Sequence, residues 1–101
     1  MLQYNLSLFV DPSIEKNAII AISKILMPEF AKFDSILHTH LFEIDSHQEP
    51  DSKGFSLQFW IKESDNTSDE IEQIVSTFFA AEFPNQFVYF PSKLILIHTI
   101  Q

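Results

Sequence analysis

The chain has 101 residues, enough for one domain (1–101) around one modest core. A hydrophobic content of 46% with 20% charged residues belongs to a globular domain and excludes a disordered or fibrous chain. Fourteen acids against six bases leave a net charge of −8, which argues against nucleic acid and anionic membrane surfaces as partners.

The absence of cysteine excludes disulfides and thiolate metal sites and fits a reducing, cytoplasmic setting. Met1 to Tyr4 has neither a basic region nor a long apolar segment, so no signal peptide is expected. No apolar run approaches membrane-spanning length.

Alternation opens the chain. Leu2, Tyr4, Leu6, Leu8 and Val10 fall on one face of a strand, and Gln3, Asn5, Ser7 and Phe9 on the other. Asp11-Pro12 then reads as a helix N-cap followed by an N1 proline. A helix over Pro12 to Met27 has an inner stripe of Ile14, Ala18, Ala21, Ile22, Ile25 and Leu26, and Pro28 ends or kinks it.

A second strand spans Ile36 to Ile44. Leu37 and Leu41 lie on one side, Ile36, His38, His40, Phe42 and Ile44 on the other, and neither side is clearly polar. After a charged loop closed by Gly54, the only glycine, a third strand carries Phe55, Leu57, Phe59 and Ile61 inward and Ser56, Gln58, Trp60 and Lys62 outward. Thr67 with Glu70 fits a capping box, and Ile71, Ile74, Val75, Phe78 and Phe79 form the stripe of a helix over Ser68 to Phe83. Asp65, Asp69, Glu70 and Glu72 make a solvated, dipole-favoured helix start. Phe87 to Phe90 begins an extended segment that Pro91 interrupts, and Leu94 to Ile100 is the expected last strand.

The order β-α-β-β-α-β predicts an α+β, ferredoxin-like sandwich, with antiparallel sheet order 4-1-3-2 and both helices on one face. The first and third strands are then central neighbours. Their outward residues Asn5, Ser7, Phe9, Gln58 and Trp60 meet on the face that no helix covers, beside His38 and His40 of the second strand. An indole and a phenyl ring on an open sheet mark an interface or a ligand groove. A homodimer formed face to face is the simplest cover, with a small apolar ligand as another occupant. If buried there, Asn5 and Gln58 are expected to bond each other across adjacent strands.

Tyr4-Asn5, Asp11, Met27-Pro28-Glu29 and Ser56-Leu57-Gln58-Phe59 together resemble an uncharacterised bacterial domain-of-unknown-function family, common in Bacteroidetes and placed with the dimeric α+β barrels. The likeness runs over nearly the whole chain. It implies the fold and brings no activity, substrate or catalytic residue with it. The chain departs from that family at Phe33-Asp34, where a glycine is usual, and near His40, where an arginine is usual.

Other chemistry is thinly signalled. His38 and His40 share a strand side and so could reach one ion, but neither His47 nor His98 is placed as a third ligand, so no metal is expected. Asn5 with Trp60 is similar to haem-degrading monooxygenases of the same fold class, yet the second helix lacks the histidine those enzymes use, and no cofactor is expected. Lys53 to Trp60 superficially resembles an RNA-recognition motif, but Phe55 has core parity and the net charge opposes RNA. Asp11-Pro12 stands where amino-acid-binding regulatory domains of this topology carry a glycine turn.

The expected function is therefore non-catalytic: an acidic cytoplasmic homodimer with a binding or association role. The alternative is a cofactor-independent monooxygenase- or isomerase-like enzyme. In it, Asn5, Gln58 and Trp60 would line a pocket between sheet and helices, with His38 or His40 as base.

Overall fold

A computed structural model describes residues 2–62 and 66–100. Asp65, read above as part of a helix start, lies outside the described residues. Four antiparallel strands form one open sheet: β1 (Leu2–Val10), β2 (Ile36–Glu43), β3 (Lys53–Ile61) and β4 (Phe87–Ile95). Their order is β2-β3-β1-β4, so β1 and β3 are central and β2 and β4 are edges; counted from the β4 edge it runs 4-1-3-2. The long helix α3 (Thr67–Glu82) joins β3 to β4, and a helical rod over 12–30 joins β1 to β2.

The alternation in β1 and β3 decides which face is wet. Tyr4, Leu6, Leu8, Val10, Phe55, Leu57, Phe59 and Ile61 are all buried in one cluster with residues of both helical segments. From the rod come Ile14, Ala18, Ile22, Leu26 and Phe30, and from α3 Ile71, Val75 and Phe79. Both helical segments therefore cover the same sheet face. Phe59 sits at the centre, with its ring edge-on to Phe30 at 5.0 Å between centroids and 6.2 Å from Tyr4.

The rod begins as the sequence expects and continues differently. Asp11 caps it, its carboxylate accepting from Ser13 N–H at 2.9 Å and Ser13 Oγ–H at 2.7 Å. These two bonds hold the exposed Asp11 carboxyl below the usual aspartate range. A 3-10 turn (Pro12–Ile14) leads into α1 (Glu15–Ala21), a π-helical turn (Ile22–Leu26) and α2 (Met27–Phe30). Pro28 thus neither ends nor breaks the rod. In the wide turn Met27 N–H bonds the carbonyl of Ile22, five residues back, which opens the space a proline ring needs inside a helix. The extra residue also rotates the stripe: Leu26 and Phe30 stay buried while Ile25, expected inside, is half exposed.

Three further expectations are corrected. The capping box on α3 does not form. Asn66 is the N-cap without a side-chain bond, and the Thr67 hydroxyl instead donates to Ser35 Oγ at 2.9 Å, which ties the helix start to the β2 entrance. The last strand is Phe87–Ile95, not Leu94–Ile100, and among the described residues its pairing with β1 runs from Phe87 opposite Val10 to Ile95 opposite Leu2. Pro91 does not interrupt β4. Asp11 N–H bonds Gln86 O, and counting along the ladder puts Pro91, opposite Leu6, in a non-hydrogen-bonded pair whose nitrogen faces the free edge.

Candidate functional site: the helix-free sheet face

The pairing register assigns every strand residue to a face, including those of β2 that alternation leaves open. His38 stands opposite Trp60, His40 opposite Gln58 and Phe42 opposite Ser56, so all three lie on the helix-free side, while Thr39 and Leu41 face the helices. A bulge between Ile36 and His38 accommodates the change of parity at Leu37. On β4 the same side carries Val88, Phe90, Ser92 and Leu94, opposite Phe9, Ser7, Asn5 and Gln3.

The face thus brings together all seven residues singled out from the sequence: Asn5, Ser7, Phe9, His38, His40, Gln58 and Trp60. Parity alone also signals Gln3, Phe42, Val88 and Phe90, whose weight in the face becomes clear only from the pairing. Phe42, Val88, Phe90 and Leu94 are about half exposed, and Trp60 is partly covered.

The aromatic groups fall into two rows. Along β2 the rings of His38 and His40 stack at 6.2 Å, and Phe42 follows at 6.1 Å. At the other corner Phe9 lies over Gly54, its direct partner, and packs against His47 at 4.9 Å and Phe90 at 5.9 Å. A Cβ on Gly54 would stand 3.1 Å from the Phe9 ring, so the glycine is what lets that ring lie flat on the sheet. His47 is fixed by a 2.7 Å hydrogen bond between Nε2 and Ser52 Oγ and adds no ligand to the His38–His40 pair. Among the described residues no group of three His, Asp or Glu side chains is placed to hold a metal ion.

The amides do not pair as expected. Asn5 and Gln58 are direct cross-strand partners, yet Gln58 Oε1 accepts from Gln3 Nε2 at 3.0 Å and Gln58 Nε2 donates to Ser56 Oγ at 3.1 Å. The amide chain runs Gln3–Gln58–Ser56, along β3 and diagonally to β1, because the longer glutamine side chains reach past Asn5. Asn5 Oδ1 is left buried with no partner.

Although His38 stands opposite Trp60 on the sheet, neither His38 nor His40 lines the cleft that Trp60 walls, where the histidine present is His98. Trp60 and Gln3, with Leu94–His98, wall a cleft of about 340 Å³. His38 lines a different groove, with Met27, Ala31 and Ile36 at the β2 edge.

On the helix side, Glu72 accepts from Tyr89 Oη at 3.0 Å and from Tyr4 Oη at 3.5 Å, beside a small cleft bounded by Asp69, Gln73 and Ser76. Burial and the adjacent Glu72 charge push the Tyr4 phenol well above the usual tyrosine range, and the Glu72 hydrogen bond raises Tyr89. Both hydroxyls are therefore proton donors throughout the neutral range. No helix among the described residues is long and apolar enough to cross a membrane. In comparisons with family models and with curated proteins the chain matches none.

Proposed function

We propose that the chain is a ferredoxin-like domain that associates with a second copy face to face, as a dimeric α+β barrel with a binding or association role in the cytoplasm. One observation carries this reading. The outward residues of the four strands include no Asp, Glu, Lys or Arg, in a chain that has 14 acids and 6 bases; Lys62, expected among them, lies just past the end of β3. The paired strand residues thus bring no formal charge to this face, so two copies can approach over it without placing like charges in contact. An uncharged face with aromatic corners and an amide network suits the middle of an interface rather than open solvent. Lack of cysteine supports the reducing compartment.

A small apolar ligand in the Trp60 cleft is a second occupant of the same face, supported by the apolar walls of Leu94, Ile95, Leu96 and Ile97. The enzyme reading has weaker support, since it needs His38 or His40 in one enclosed space with Trp60, and neither lines the Trp60 cleft.

Light scattering on the purified chain tests the proposal. The expected mass is twice 11.7 kDa, and Val88→Asp or Phe90→Asp should yield folded single subunits, because both side chains are more than half exposed and the fold does not need them. A wild-type chain that stays at 11.7 kDa at high concentration, or a Phe90→Asp chain that remains dimeric, would overturn it.

A further inference from the structure

The chain runs on past the sheet. β4 ends at Ile95, and among the described residues no strand pairs with Leu96, Ile97, His98, Thr99 or Ile100. Ile97 and Ile100 are 95% and 87% exposed and Leu96 58%, so this chain buries little of their apolar surface. The segment carries no Asp, Glu, Lys or Arg and so prolongs the uncharged surface of the helix-free face. It leaves the sheet next to Trp60 and walls the cleft there with Gln3 and Leu94, all on the helix-free side.

We infer that residues 96–100 form an arm that buries Leu96, Ile97 and Ile100 against a second copy of this chain. The inference rests on the face-to-face reading above and names what completes that contact. Area supports it. Three strands of nine residues and one of eight, at about 3.3 Å per residue and about 4.8 Å between strands, give a footprint of roughly 550 Å². Stable pairs bury about 800 Å² on each partner, so the sheet face alone falls short. Three buried aliphatic side chains add roughly 200–350 Å², which brings the total to that size. Charge selects the occupant. A second copy presents the same uncharged face and arm, whereas a basic partner would find no carboxylate there to pair with.

The test uses the full-length chain in analytical ultracentrifugation, with Ile97→Asp, Ile100→Asp and Val88→Asp variants. Thermal unfolding of each serves as a control on the fold. Ile97 and Ile100 touch so little of their own chain that neither substitution should move the unfolding of the single subunit. Each arm substitution is expected to weaken the dimer at least about a hundredfold, since it removes two buried side chains per dimer, and Ile97→Leu should restore it. If Val88→Asp separates the copies while both arm variants associate like wild type, the arm is wrong and the face reading stands. If the arm variants separate them and Val88→Asp does not, the copies meet through the arm without the face, and the face reading falls together with the inference that the arm completes it. Single subunits at millimolar concentration overturn both.

Discussion

Replacing Asn5 by valine should make the protein more stable, although Asn5 occupies the middle of a central strand. Its Oδ1 is buried by its own chain and accepts no hydrogen bond, and its direct neighbour Gln58 gives both of its bonds elsewhere. A buried carbonyl without a donor costs about 1–3 kcal/mol relative to its hydrated state. Valine is close in size and favoured in strands, on a scale that spans about 1 kcal/mol. The expected gain is about 1–2 kcal/mol, or roughly 5–15 °C in the unfolding midpoint for a domain of this length.

Gln58→Val, at the position directly opposite, should move the other way by about 1–2 kcal/mol, because it breaks the bonds to Gln3 and Ser56. Urea unfolding followed by circular dichroism, at one fixed protein concentration so that association does not shift the midpoints, measures both. A second copy cannot supply the missing donor, since the oxygen is already covered within one chain. A lower midpoint for Asn5→Val would therefore mean that the amide is satisfied, and the reasoning would fail.

Three other perturbations follow from the packing and the charges. Phe59→Ala empties the centre of the core between Phe30 and Tyr4 and should cost about 3–5 kcal/mol in the same unfolding assay, a large part of the 5–15 kcal/mol typical of a whole domain. The raised Tyr4 phenol stays protonated in the folded state while the unfolded chain's phenol ionises near pH 10. Its contribution is thus fully present below about pH 10 and lost as pH rises toward the folded value, so wild-type stability should fall with pH across 9–11 more steeply than that of Tyr4→Phe, as read from unfolding at a series of pH values. Gly54→Val places a branched side chain where the Phe9 ring and His47 already lie and should cost about 1–3 kcal/mol, while Gly54→Ala, which asks for a shift of a few tenths of an ångström, should cost less. Calorimetry on the two variants separates them.

Legibility in the sequence followed locality. β1 and β3 could be read because each has one wholly apolar side, and a half-buried strand imposes that pattern directly. Asp11 was readable for the same reason, its bonds reaching only two residues along the chain. β2 was not, because Leu37, Thr39 and Leu41 are no more apolar than His38, His40 and Phe42; only the pairing of His40 with Gln58 decides the faces. The Leu94–Ile100 run is as apolar as a buried strand, yet a strand needs a pairing partner, and none of the described residues pairs with it after Ile95. Thr67 and Glu70 satisfy the spacing of a capping box, but Ser35, thirty-two residues away, takes the threonine hydroxyl. Of the candidate site, the membership of the face followed from parity. The hydrogen bonds within it did not, since parity says which amides share a side and nothing about which of them reach each other.

Long strands in a chain that is 46% hydrophobic are raw material for templated, fibre-like growth, in which each newcomer adds one more strand to an unpaired border. Here one border lacks a donor in its middle, at Pro91, and the other is kinked at Leu37 by the bulge. Neither offers an incoming strand a regular ladder. The molecule is thereby steered from open-ended polymerisation toward contacts that close on themselves.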